Sequence, residues 1–144
     1  MCACCAEPVP LAEFPTRLTL PLFVCSVRAG FPSPAEDYVE APLDLNEHLV
    51  KHPAATFFVR AEGDWMRGAG IHSGDILIVD RSLPPSIGRV VVAAVDGQFT
   101  VKRLKRSPDG SVYLAPENDA YGAIPVRDES VQVWGVVTHV IHQP

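Results

Sequence analysis

Lys102 is the residue whose type and place in the sequence best suit it for chemistry. A predicted β-hairpin turns at Asp96-Gly97, a strong hairpin signal because both turn positions need positive φ. That turn places Lys102 opposite Val91 and on the same face as Thr100 and Leu104. A lysine withdrawn from water among such neighbours has a lowered pKa and can act as a general base near neutral pH. Hairpin geometry alone favours the alternative, in which the ammonium group extends to water.

A lysine base needs a nucleophile, and its usual partner is a serine presented by a turn. The turn at Gly63-Asp64 follows the first predicted strand of the body, and a helix-like start at Met66 would direct backbone amides at an oxyanion. The residue between them is Trp65, whose indole cannot attack a carbonyl. The expected nucleophile is therefore missing from an otherwise suitable turn.

The other reactive side chains do not indicate a second site. Ser73 lies in the next turn, where its spacing does not direct it at Lys102, and His72 is interpreted as a turn residue. The cysteines all lie in the first quarter of the chain, at Cys2, Cys4, Cys5 and Cys25. Zinc sites use spaced pairs that converge on one point, so we expect reduced thiols in an unstructured tail and no metal cofactor.

Composition limits the classes of protein to consider. The chain has 144 residues, 47% hydrophobic and 20% charged, which predicts one globular domain with its own core. It has no apolar run long enough to span a bilayer and no secretory signal pattern, so we expect a cytoplasmic protein. The net charge of -5 argues against direct nucleic-acid binding. The basic run at 102–106 is interpreted as a solvated strand face, Lys102 excepted.

Two proline-rich stretches divide the chain. Frequent prolines before residue 29 exclude a long helix and predict an extended N-terminal arm, and the stretch at 30–34 marks the junction with the body. The body begins with one short helix, capped by Asp44 and ended by Pro53. Alternating and apolar runs then predict strands at 56–60, 75–80, 89–95, 98–102, 111–114 and 131–140. The fold class is therefore mainly β, with a curved β-sheet body.

Several of these segments, taken in order, resemble the UmuD-type members of the LexA family of self-cleaving peptidases. The resemblance runs from about Leu22 to Val140. The matching segments are AGFPSPA at 29–35, DYVE at 37–40, DLN at 44–46, ILIVD at 76–80, AAVDG at 93–97 and FTVK at 99–102. Such an ordered series of matches is more specific than any single motif, and it implies a LexA/UmuD-like fold.

The resemblance implies a Ser/Lys dyad that cuts the protein's own chain between Ala29 and Gly30. Removal of the arm, residues 1–29, would leave the body, residues 30–144. The general base maps to Lys102. The serine maps to Trp65, because the family's Gly-Asp-Ser-Met motif matches on both sides of it. We therefore expect no self-cleavage by this chain. Deliberate substitution and natural loss both explain Trp65, and the intact surroundings favour substitution.

The resemblance also implies a function. UmuD-type proteins are homodimers that regulate error-prone translesion DNA synthesis in the SOS response, through a UmuC-like polymerase subunit. Their cleavage is stimulated by the RecA filament on single-stranded DNA. The alternative is a non-enzymatic LexA-type dimerisation module, but 29 proline-rich residues are too few and too irregular for the helix-turn-helix domain of a repressor. A signal-peptidase-like enzyme is disfavoured because the sequence offers no membrane anchor.

Overall fold

The computed structural model of the chain describes residues 17–23, 29–30, 39–126 and 130–144. All four cysteines and the junction residues 31–34 lie outside these ranges. The strands are β1 (Thr19–Phe23), β2 (Val39–Asp44), β3 (Thr56–Arg60), β4 (Ile76–Asp80), β5 (Val90–Val95), β6 (Gln98–Arg106), β7 (Val112–Ala115), β8 (Ile124–Pro125) and β9 (Val131–Ile141). One α-helix, α1 (Leu45–Leu49), lies between β2 and β3. The expected mainly β class is confirmed.

The body is a seven-stranded sheet in the order β3-β4-β9-β5-β6-β7-β8, with each neighbouring pair antiparallel. The predicted hairpin register is confirmed, because Val91 pairs with Lys102 and Ala93 pairs with Thr100. Its turn uses positive φ at both Asp96-Gly97 positions. The hairpin thus fixes where Lys102 lies in the sheet.

Apolar residues are buried on both faces of the sheet. Val91 and Val92 are adjacent in β5, yet they belong to two different hydrophobic clusters. Successive strand residues point to opposite faces, so each cluster covers one side. Leu77 and Val79 of β4 are fully buried and belong to the cluster that also contains Val92. This two-sided burial explains why the central strands are nearly continuous apolar runs.

The short helix forms where the sequence predicts it. The carboxylate of Asp44 accepts a hydrogen bond from the backbone N–H of Asn46 at 3.0 Å, which satisfies one of the free amides of the first turn. The helix ends at Leu49, and Pro53 begins a short 3₁₀ turn. The predicted cap is confirmed, whereas the helix ends with Val50 as its C-cap, before Pro53 is reached.

The arm has more structure than an extended segment. Its residues 19–23 form β1, which pairs with β2 in a separate two-stranded sheet, with Leu20 opposite Leu43. Leu18, Leu20 and Leu22 are exposed. Sequence analysis did not predict β2 or β8. No helix in the described ranges is long and apolar enough to cross a membrane.

Gly135 in β9 tests how tightly the sheet is packed. A Cβ at this position would lie 2.6 Å from Cγ1 of Val79, which is buried and stiff. We expect Gly135→Ala to lower the free energy of unfolding by about 1–3 kcal/mol. Urea denaturation followed by circular dichroism measures this. Gly122→Ala is the control, because a Cβ there meets nothing within 4 Å, and an equal loss in both variants would contradict the packing explanation.

Candidate active site

The loop after β3 carries Trp65 and is held to its neighbours by backbone hydrogen bonds. Gly63 adopts φ +90°, a conformation that favours glycine, and turns the chain away from the strand. Its N–H donates to Oγ of Ser73 at 3.1 Å. Met66 is buried in the core, and a 3₁₀ turn, Arg67–Ala69, follows it. The predicted helix-like start after Trp65 is thus present as a single short turn.

Ser73 and His72 lie in the turn that supports this loop. Since Oγ of Ser73 accepts the Gly63 amide, Ser73 holds the backbone of the loop. Nothing in this contact directs Ser73 at Lys102. His72 faces Asp75 in the same turn, with 3.8 Å between Nδ1 and the nearer carboxylate oxygen. Both residues therefore occupy turn positions, as their spacing predicts.

Lys102 is buried, with 4% of its surface exposed. Its Nζ donates to Oγ1 of Thr100, and to the carbonyl oxygen of Val101 at 3.2 Å. The interpretation favoured by hairpin geometry alone, an ammonium group extended to water, is therefore wrong. Burial disfavours the charged form, so it lowers the pKa of Lys102. A lowered pKa is the property that a lysine general base needs.

Trp65 covers the amino group of Lys102. Nζ lies 4.6 Å from the centroid of the indole ring, within the range of a cation–π contact when the amine is charged. The indole is 38% exposed, so one side of it faces solvent. The structure therefore brings together the two residues that the sequence resemblance assigned to a dyad, and the group that faces Lys102 is an aromatic ring.

Tyr121 forms the other side of this aromatic contact. Its ring stacks on Trp65 with centroids 3.9 Å apart and planes 7° from parallel. Its hydroxyl donates to Oδ1 of Asp64 at 2.7 Å, and that hydrogen bond raises the pKa of Tyr121. Asn118 Nδ2 donates to the backbone carbonyl of Asp64 at 2.8 Å. Asp64, Trp65, Asn118 and Tyr121 thus form one connected group, which we call the aromatic lid.

A further contact holds the end of the loop that carries Trp65, which we call the lid loop. The N–H of Gly68 donates to the carbonyl of Glu117 at 2.6 Å, and a Cβ on Gly68 would lie 2.6 Å from that same oxygen. Only glycine permits this approach. Glu117 in turn pairs with Arg103 and, at 3.8 Å, with Lys105 of β6. The basic run is therefore partly used in pairing with Glu117 rather than left solvated.

Sequence reasoning missed Tyr121, Asn118 and Glu117. They lie in a segment whose residues, Pro-Glu-Asn-Asp-Ala-Tyr-Gly at 116–122, are typical of a loop. Their partners in the loop after β3 lie about fifty residues earlier in the chain, so no local pattern connects the two loops. The proposed scissile residues, Ala29 and Gly30, lie within the part of the chain that the structure describes, and both are exposed.

Chemically, the site has a buried lysine with a lowered pKa, and the residue of the β3–β4 loop that faces it is a tryptophan, which carries no hydroxyl. Thr100 carries the hydroxyl that Lys102 contacts, but it lies within β6 and accepts a hydrogen bond from Nζ. A buried lysine with a lowered pKa beside a short helical turn is the arrangement that the sequence resemblance leads one to expect of a Ser/Lys peptidase fold.

Comparison with known proteins identifies the family. Residues 21–138 match the Peptidase S24-like family, and the chain belongs to it. It is similar to Protein SamA of Salmonella typhimurium, at 50% identity over 90% of this chain and 89% of SamA. Protein MucA of Escherichia coli is 46% identical, over 84% and 83% of the two chains. The LexA repressor of Shewanella denitrificans is 36% identical, over 95% and 71%. The resemblance seen in the sequence motifs is confirmed.

Burial of Lys102 makes stability depend on pH. The folded protein binds its proton less tightly than the unfolded chain, whose lysine has a pKa near 10.4. Between the lowered folded pKa and that value the unfolded state holds more protons, so the free energy of unfolding should rise with pH. Lys102→Met should remove this rise and be at least as stable as the native chain below that window. Urea unfolding at a series of alkaline pH values measures both effects.

The control for this prediction is Lys51→Met, because Lys51 is exposed. It should leave the slope of stability against pH as it is in the native chain. A slope that persists in Lys102→Met would show that another group causes it.

Proposed function

We propose that this chain is an SOS-response regulator of error-prone translesion DNA synthesis that has lost self-cleavage. One observation carries the second part: the indole of Trp65, not a serine hydroxyl, faces Nζ of Lys102 at 4.6 Å. Membership of the Peptidase S24-like family and the similarity to SamA and MucA support the first part. The protein then acts as a binding module in its full-length form.

The step that this chain lacks is the attack of a serine hydroxyl on the peptide bond between Ala29 and Gly30. In an active dyad, a neutral lysine takes the proton of the serine hydroxyl while Oγ attacks the carbonyl carbon of Ala29. The intermediate then breaks the bond to Gly30, whose nitrogen takes the proton and leaves as an amine. Water hydrolyses the resulting ester and restores the serine. Trp65 offers no oxygen to form that ester, so Lys102 has no proton to accept.

Retention of the arm is the functional consequence. Residues 1–29 would stay attached to the body, and surfaces that cleavage exposes would remain covered. The partners we propose are a second copy of the chain, a UmuC-like polymerase subunit and the RecA filament on single-stranded DNA. We propose no direct contact with DNA, because the net charge is -5, and a cytoplasmic location.

The fit of Trp65 supports natural loss over deliberate substitution. A substituted indole would not be expected to meet a parallel ring at 3.9 Å whose hydroxyl is itself bound to the preceding residue, Asp64. Stacking of this kind stabilises by about 0.5–1.5 kcal/mol beyond burial alone. A lid that closes the site in this way also favours a binding role, which is the alternative drawn from the sequence.

Trp65→Ser tests the proposal directly. The substitution supplies an Oγ in the turn beside a base whose pKa burial has lowered. We expect intact mass spectrometry to show slow conversion to fragments 1–29 and 30–144, faster with RecA, single-stranded DNA and ATP. The rate should also rise with pH and level off below pH ~10.4, the pKa of a free lysine. The native chain should stay whole under the same conditions.

Three controls make the result interpretable. Trp65→Ala opens the lid without adding a nucleophile, and Trp65→Ser combined with Lys102→Ala removes the base, so neither should be cut. Trp65→Ser combined with Thr100→Val should still be cut, because Thr100 supports Lys102 but does not attack. A fragment beginning at Gly30 from the native chain would disprove the loss of cleavage. An intact Trp65→Ser chain at every pH would disprove the dyad.

A further inference from the structure

The strongest group of side chains without an assigned role lies at the beginning of β4, next to Ile76. His72, Asp75 and His142 each offer one ligand atom, and all three atoms lie within 4.8 Å of one another. His142 Nδ1 is 2.7 Å from Oδ1 of Asp75, and His72 Nδ1 is 3.8 Å from Oδ2. The two imidazole rings are 4.7 Å apart between centroids. We call these three residues the histidine–aspartate cluster.

We propose that the histidine–aspartate cluster binds a divalent transition-metal ion, for which zinc is the reference. Two imidazoles and a carboxylate are a donor set that zinc accepts, and the remaining positions would be filled by water. Zinc holds nitrogen and oxygen ligands about 2.0–2.2 Å away and hence about 3.4 Å from one another. The observed separations bracket that value. This proposal does not rest on the proposed function.

The carboxylate is already held in place. Asp75 is 4% exposed, and its Oδ2 accepts the backbone N–H of His72 at 2.8 Å. That hydrogen bond fixes the orientation of the carboxylate, whose Oδ1 faces His142. A buried ligand oriented by a second hydrogen bond is typical of metal sites. The ion would replace the direct contact between His142 and Asp75.

Both histidine side chains are accessible to solvent and have room to move toward an ion. Their side chains are 49% exposed for His72 and 44% exposed for His142, so an ion can enter from solvent and the rings can move by the required distance. His142 follows the last strand, β9, which ends at Ile141. Arg60 Nη1 donates to the carbonyl of Gly74, so this cation points at the backbone of the turn.

A metal ion bound here would link His142, just after β9, to the loop that carries Trp65. The turn that contains His72 and Asp75 is bonded to that loop through the Asp75 carbonyl, which accepts the Ala61 N–H at 2.8 Å. The Gly74 N–H donates back to the Ala61 carbonyl, also at 2.8 Å. An ion would thus connect residue 142 to the base of the segment that carries Trp65. The class of ligand is a free aqueous metal ion, and no other molecule is required.

Isothermal titration with zinc chloride tests the proposal on the untagged full-length chain. The four cysteines are first blocked with iodoacetamide, because their thiolates bind the same ion. We expect one zinc per chain. His72→Gln and His142→Gln should each weaken binding at least about tenfold. His48→Gln is the matched control, since His48 is exposed and lies outside the cluster, and it should bind as the native chain does.

Two more measurements separate a metal site from a structural contact. Cobalt should give visible absorption bands of nitrogen and oxygen ligation in the thiol-blocked chain, and His142→Gln should lose them. Zinc should raise the melting temperature of the native chain and of His48→Gln but not that of His142→Gln. Absence of zinc binding, or an equal loss of affinity in His48→Gln, would overturn the proposal. So would unchanged affinity in both His72→Gln and His142→Gln.

Discussion

Taking one amino group out of water constrains much of this protein. An ammonium group buried in a sheet loses its hydration, and it must find acceptors or lose its proton. Lys102 has the Thr100 hydroxyl, the Val101 carbonyl and the face of an indole around it. These partners are fixed by two different levels of structure. Thr100 and Val101 belong to the same strand, whereas Trp65 comes from a loop between other strands.

The hairpin is what places the lysine there. A shift of one residue between β5 and β6 would turn Lys102 toward the opposite face, because side chains alternate along a strand. The Asp96-Gly97 turn and the fully buried Val91 and Ala93 prevent that shift, since each specifies the same pairing. The position of Lys102 in the sheet is therefore determined mainly by local sequence, and this is why its hairpin register could be predicted without a structure.

Local periodicity and turn chemistry also predict the strands at 56–60 and 131–140, the cap at Asp44 and the hairpin register. Other parts of the site could not be predicted in this way. Burial of Lys102 was misjudged, because a strand pattern does not show what packs over its face. Tyr121 was missed because its partners, Asp64 and Trp65, are more than fifty residues away. Family resemblance supplied the roles of Trp65 and Lys102, which spacing alone did not.

The small sheet of β1 and β2 gives the N-terminal arm a structural role. β2 leads directly into α1. Thr19 of the arm lies opposite Asp44, the last residue of β2. While β1 stays attached, the backbone N–H and C=O groups of β2 have a partner. Loss of the arm would expose the edge of β2 that β1 now pairs with, and open edges recruit strands from other chains. Under the proposed function, a tryptophan in a distant turn would thus decide whether that second edge of β2 is covered.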